Sequence, residues 1–283
     1  MSFDNLALAL DYVKNIGDRF RFIAGGTDLM VQMRSGKVTP ECLVDISHIG
    51  ELHGISEEKG GVVIGALSTL EEIRRSRLVE SRLPALKESA DFFAAWQVRN
   101  LATIGGNVCN ASPAADTAPP LLIYRASLVA SSGVTSRRIP IEEFFVGPGK
   151  TCLKVGELVC QVILPVEATG GSAFLKLGKR QASNLAVVNA AAYVRIKDGF
   201  VSESRLALGA VAPKPVRASK TEDFLEGKLA VDRNFAQAAA LVDDDIRPIT
   251  DVRAGAEYRV KMAETLAFRT LRLASARAKE SRA

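Results

Sequence analysis

Apolar positions near the start of the chain switch between two spacings, and each switch marks an element. Leu6, Leu8, Leu10 and Val13 predict a short helix that stops at Asn15-Ile16-Gly17. Phe20, Phe22, Ile23 and Ala24 suit a buried strand. Gly25-Gly26 break it, and Thr27-Asp28 can cap a helix over 29–34. Residues 41–49, around CLVDIS, read as another short strand. From residue 60, GGVVIGALSTLEEIRRS reads as strand, turn and helix, with Ser68 or Thr69 as the cap. Glu71 and Glu72 fall in that helix's first turn, where negative charge favours the dipole. Residues 84–100 predict one longer helix ending in QVRN. The first half of 101–131 has almost no period, and its second half predicts a strand over 121–130.

After Pro165 the small, polar stretch VEATGGSA suits a linker. Strand-like runs follow at SAFLKLG, AVVNAAAYVRI and SRLALGAVA, then helical patterns over 220–227, 235–243 and 252–279. Strands followed by helices imply an α+β unit. No internal repeat is visible. The chain is expected to divide into units at 1–56, 57–168 and 169–283. Its 283 residues suffice for two or three domains.

Composition narrows the function classes. With 47 % hydrophobic and 24 % charged residues the chain can bury a sizeable core. The net charge is +5, but Lys and Arg are scattered and the densest group, 269–282, lies on a helical pattern. Dispersed charge supplies solubility rather than a nucleic-acid footprint. Cys42, Cys109, Cys152 and Cys160 form no C-x-x-C pair, which argues against zinc, an iron–sulfur cluster or a disulfide framework and for free thiols in a reducing cytoplasm. His48 and His53 lie five apart with no third ligand evident. The N-terminus lacks the basic region of a signal peptide. No run approaches the ~20 apolar residues of a membrane span.

Two glycine-rich segments are candidates for chemistry. The first is AGGTDL, residues 24–29, following Ile23. Glycines directly after a strand allow close backbone approach, and N–H groups opening the next helix suit a pyrophosphate. The same residues also suit a plain tight turn. The second is TIGGNVCNASPAADTAP, residues 103–119, long and poor in charge. Loops this long without secondary structure tend to be functional. Gly105, Gly106 and Asn107 can wrap a phosphate through backbone N–H groups. Asn110, Ser112, Asp116 and Thr117 can bond ribityl or ribose hydroxyls, with Asp116 as acceptor. FVGPGKT, 145–151, imitates a nucleotide P-loop, but Phe144 stands where the required glycine would be. No Ser–His–Asp, Cys–His or paired-carboxylate set is visible, so no catalytic side chain is expected.

The two segments together resemble the FAD-binding flavoprotein subunits of the xanthine dehydrogenase and carbon monoxide dehydrogenase family. AGGTDL followed about 75 residues later by VRNLATIGGNVCNASPAADTAP carries the resemblance. It extends through GALSTLEEI, FFVGPGKTCL, ELVCQVILP, FLKLGKRQASNLAVV, GAVAPKPVRA and DVRAGAEYR, essentially the whole chain. The resemblance implies an α+β fold: two subdomains that clasp FAD, of the PCMH or vanillyl-alcohol-oxidase-like type, and a C-terminal α+β domain of the carbon monoxide dehydrogenase flavoprotein type. It implies partners as well, a molybdenum-pterin large subunit and a 2Fe–2S small subunit, assembled as a dimer of heterotrimers. The alternative is a free-standing flavin oxidoreductase of the same type with its own substrate.

Carried over by motif, Ile23, Ala24, Gly25, Gly26, Thr27, Asp28 and Leu29 would line the pyrophosphate turn. Thr103, Gly105, Gly106, Asn107, Asn110, Ala115 and Asp116 would form the second contact loop. Phe93, on the preceding helix, matches an aromatic that packs against the cofactor, and Lys176 matches a basic residue near it. Arg180 matches a residue on a loop screening the flavin's acceptor side. There Ser183 and Asn184 replace the acidic residues of NAD-using relatives, and Leu185 replaces a tyrosine of the carbon monoxide type. These departures leave the acceptor open, and the hydroxylated substrate belongs to another chain.

Overall fold

A computed structural model describes residues 1–58, 60–167, 169–180 and 184–280. The fold is a mixture of helices and small sheets, the α+β class expected from the pattern. Phe20–Ile23 and Cys42–Asp45 pair as a two-stranded parallel sheet. The helix Leu6–Lys14 packs beside it, its cap the side chain of Asn5 accepting from the Leu8 N–H. Ala9, Leu10, Val13, Phe20 and Val44 make the core of this part, which closes on Leu158 and Cys160 of the next sheet.

That next sheet has five antiparallel strands in the order Ile55–Glu58, Gly61–Gly65, Leu158–Pro165, Ser127–Ser131, Ser136–Pro140. Val62, Ile64, Leu128, Val162 and Leu164 point from it into a core covered by Leu70–Arg75, Pro84–Asp91 and Ala118–Ile123. Gly65 lies too close to the Leu52 carbonyl for any side chain, so the chain at Leu52 sits directly on this sheet.

A four-stranded antiparallel sheet follows, in the order Gly171–Leu177, Val188–Lys197, Phe200–Gly209, Val216–Arg217. Strand alternation divides its residues between two cores. Ala173, Ala190, Ala192, Leu206 and Leu208 pack with the long helix Ala256–Glu280. Phe174, Ala191, Tyr193 and Ala207 face the second unit's core. The last sheet is thus buried on both sides, and residues on its inner face reach the loops of the second unit.

Three elements differ from the expected pattern. The single helix over 84–100 is two helices, Pro84–Asp91 and Trp96–Arg99, because Ala94 takes a left-handed conformation at φ 40°. Arg99 holds that turn by donating to the carbonyls of Phe93 and Ala94 at 2.9 and 3.2 Å. The aperiodic stretch after residue 103 contains a helix, Ile104–Cys109. Thr103 caps it, and Gly105 is required inside it because a Cβ there would meet Ala66 at 2.8 Å. The expected strand over 121–130 is the helix Ala118–Ile123, then the strand Ser127–Ser131. Pro119 and Pro120 occupy that helix's first turn, where a missing N–H costs nothing. A fully apolar run has no period to separate strand from buried helix.

FVGPGKT forms a small hairpin, with Phe145–Gly147 paired to Lys150–Thr151. The cap at 68–69 is Thr69, in a reciprocal pair with Glu72. No helix among the described residues is long and apolar enough to cross a membrane.

Candidate flavin cleft

The two glycine segments meet. A Cβ on Gly25 would fall inside the Leu101 carbonyl group, so the first turn lies flat against the chain that leads into the second loop. A few residues on, Gln32 Nε2 donates to Asn110 Oδ1 at 3.1 Å, joining the helix Leu29–Arg34 to the end of Ile104–Cys109. The helix after the first glycine pair and the helix containing the second are therefore neighbours. The floor beneath them is the turn at 66–70: Gly105 N–H donates to the Ala66 carbonyl, Ile104 N–H to Ser68 and Leu70 N–H to Ala102.

Within the first segment, Ile23 ends its strand, and Ala24, Gly25, Gly26 and Thr27 form the turn, half-buried, with Gly26 at φ 66°. Leu29 begins the helix. Asp28 occupies the cap position but caps nothing; its backbone is already helical there and its carboxylate accepts from Gln32 instead. A side chain turned along its own helix cannot also reach back to the first N–H groups.

Within the second segment, Thr103 and Gly105 are buried and Gly106 is exposed. The Gly106 N–H is taken by Thr103 Oγ1 at 3.1 Å, so this amide is a cap and does not stand free for a phosphate. The other face of Gly106 is open: a Cβ there would meet only Thr103 Oγ1. Asn107 accepts from the Thr117 hydroxyl at 2.5 Å, which ties the start of the loop to its end. Ala111, at φ 47°, takes the Gly149 N–H on its carbonyl. Cys109 ends the helix and packs against the core, and burial pushes its thiol up to about 12, so it is no nucleophile.

Asp116 differs from expectation. Its carboxylate does not point into open space. Lys176 Nζ donates to Oδ2 at 2.6 Å and Asn189 Nδ2 to Oδ1 at 2.9 Å. Burial pushes this carboxyl up, against the opposing pull of Lys176 and Asn189. Lys176, its side chain only 3 % exposed, also donates to the Phe92 carbonyl at 3.2 Å and the Asn184 carbonyl at 2.9 Å. Three donors meet three acceptors from three segments. Phe93 lies in the turn between helices, not on a helix, and packs half-buried against the second core. Ala115 is buried beside Asp116. Ser183 falls outside the described residues; Leu185 is 63 % exposed.

The pattern did not single out Asn189, Gln32 or the Arg99–Glu71 pair. Arg99 stands in QVRN, directly before the second segment, and its place there was the one available signal. Asn189 sits in an alanine-rich strand and carried none. Among the described residues no cluster of three His, Cys, Asp or Glu side chains could hold a metal.

The residues present suit a dinucleotide cofactor: the glycine turn at 25–26 lies directly against the chain entering the second segment, and at the exposed Gly106 an added Cβ would meet only Thr103 Oγ1 among the described residues. The fold and its paired glycine segments are of a class that the family models identify as the flavin-binding module of molybdenum enzymes. Residues 2–167 match the family model described as the FAD binding domain in molybdopterin dehydrogenase, and 173–274 match the CO dehydrogenase flavoprotein C-terminal domain. The chain belongs to the family of FAD-binding medium subunits of molybdenum hydroxylases. It is 35 % identical over 271 residues to the carbon monoxide dehydrogenase medium chain of Hydrogenophaga pseudoflava, covering 95 % of this chain and 94 % of that one. It is 33 % identical over 270 residues to a xanthine dehydrogenase FAD-binding subunit of Escherichia coli, covering 94 % and 92 %. Among solved structures, a carbon monoxide dehydrogenase from Hydrogenophaga pseudoflava superposes with a TM-score of 0.93 at 33 % identity, covering 98 % of this chain and 96 % of that chain.

Proposed function

We propose that this chain is the FAD-binding electron-transfer subunit of a heteromeric molybdenum-containing hydroxylase or dehydrogenase. The observation that carries the reading is the contact of Gly25 with Leu101, which brings the two glycine segments into one cleft. Bound there, FAD would take electrons arriving from 2Fe–2S clusters and pass them to an external acceptor. The chain's own part is to bind and orient. Ala24 to Leu29 would lie along the diphosphate, Thr103 to Asn110 would line the opposite wall, and Phe93 would pack against a ring. Lys176 and Asp116 would close one end as a neutral pair, so that no isolated charge stands beside the flavin.

The partners would be a molybdenum-pterin large subunit and a 2Fe–2S small subunit, in a dimer of heterotrimers in the cytoplasm. A division into units at 1–56, 57–168 and 169–283 draws support from three hydrophobic cores centred on those ranges, although Leu158 and Cys160 join the first core and Phe174, Ala191, Tyr193 and Ala207 join the second.

The test is to purify the chain with whatever chains accompany it and record its absorbance. Stoichiometric flavin, reduced by an organic substrate only when the partner chains are present, supports the reading. A folded, colourless chain overturns it, and flavin reduction by substrate in the isolated chain favours a free-standing oxidoreductase.

A further inference from the structure

We infer that Asn189 is a positioning residue for the flavin cleft and acts through Asp116. The inference rests on the flavin reading above and deepens it. Lys176 and Asn189 stand directly opposite each other on neighbouring antiparallel strands. Opposed residues project to the same face of a sheet. That face is the one turned to the second unit, and both side chains end on one carboxylate, Lys176 on Oδ2 and Asn189 on Oδ1. Asp116 lies in the second glycine-rich segment. The last sheet therefore grips the cofactor loop with two fingers.

Asn189 is completely buried. Among the described residues its Oδ1 has no hydrogen-bond partner. It faces Gly209, where a Cβ would overlap it. A buried amide that leaves its oxygen orphaned is costly, and an apolar residue would fill the same space without that cost. What the amide supplies is the Nδ2 donor. Without it Asp116 would hold one buried oxygen with no donor and could turn away from Lys176. The Lys176 ammonium would then lose the partner that fixes it between the Phe92 and Asn184 carbonyls. A second hold lies next to the first: Ala210 N–H donates to the Pro113 carbonyl at 2.7 Å, and Arg259 fixes Ala210 through its carbonyl at 2.7 Å. The backbone at Pro113 is thus anchored separately, and Asn189 governs the orientation of the Asp116 side chain.

The experiment measures FAD dissociation from the intact chain in its complex, by the fluorescence of released flavin. Asn189→Leu should weaken FAD by about 10- to 100-fold, the range expected when a buried carboxylate loses a donor. In an Asp116→Ala background the same substitution should add little, because its route is gone. Additive losses in the two backgrounds would show a packing role and overturn the inference. So would unchanged FAD affinity in Asn189→Leu. If Asn189→Leu does not fold, Asn189→Ser and Asn189→Ala are compared. Tighter FAD in the serine variant, which keeps a donor, supports the inference; equal affinities, or failure of all three to fold, overturn it. A wild-type complex that binds no FAD sinks the flavin reading instead, so the two failures are distinguishable.

Discussion

Gly25 lies flat against the main chain of Leu101, with no space between them for a single carbon. This contact makes one cleft of two segments far apart in sequence. Gly25→Ala should therefore separate them. Unlike a glycine in an open turn, this one has backbone as its neighbour, which cannot rotate aside. We expect a loss of about 2–4 kcal/mol in folding stability, measured by chemical denaturation, together with loss of flavin.

Gly106→Val makes the opposite experiment. Among the described residues the added Cβ would meet only Thr103 Oγ1, at 2.9 Å, so the hydroxyl must give a little while no backbone is struck. Folding should be lowered by about 1 kcal/mol or less, since helical propensity changes little and the position is exposed. Flavin retained after desalting should fall to near zero. Full retention in a folded variant would remove Gly106 from the cleft wall.

Lys176→Met leaves the Asp116 carboxylate buried with Asn189 as its one remaining partner among those seen. Breaking a buried pair from one side costs about 3–5 kcal/mol. Burial already holds the Asp116 carboxyl above its ordinary value even with Lys176 present. Without that cation the folded chain keeps a proton that the unfolded chain releases. Stability of the variant should then fall as pH rises through the raised value. Urea midpoints measured from the ordinary carboxyl value of 3.8 upward test this; a profile flat throughout would show that the carboxyl is not raised in the variant.

Glu71 titrates in the other direction. Hydrogen bonds from Arg74, Arg99 and Arg75 hold its carboxyl down to about 2, although burial opposes them. Its side chain is 4 % exposed, while Arg75 is open to solvent. A lowered value means that the folded state favours the ionised form. The stabilisation is fully present above the ordinary value of 4.5 and is lost as pH falls from there toward 2. Allowing for screening at Arg75, the effect is about 1–3 kcal/mol. Glu71→Gln should flatten the acid limb of a thermal-melting profile. It should also loosen the Phe93–Ala94 turn, because Arg99 bonds Glu71 at 3.1 Å as well as that turn's carbonyls.

Local pattern was a good guide wherever apolar residues form a run whose composition and bounding turns suit one element type. Leu6–Lys14, Phe20–Ile23, Gly61–Gly65 and the first three strands of the last sheet lie where the pattern of apolar residues placed them, whereas its short fourth strand, Val216–Arg217, was not expected. It failed at Ala118–Ile123, where every residue is buried and no alternation survives. It failed again at 84–100, where the break comes from Arg99 reaching back to the carbonyls at 93 and 94.

The sequence by itself determined the two glycine segments, their order and, through them, the family. Those features are local: a glycine is legible as a glycine wherever it stands. Only the tertiary structure decided what the polar residues around the segments do. Asp116 reads in the sequence as an acceptor for a ligand hydroxyl, yet Lys176 and Asn189 occupy it, and Asp28 reads as a cap but bonds Gln32. A side chain's partner depends on which distant strand the fold brings within about 3 Å, and hydrogen bonds fade within a fraction of an ångström beyond that. No spacing along the chain encodes that distance.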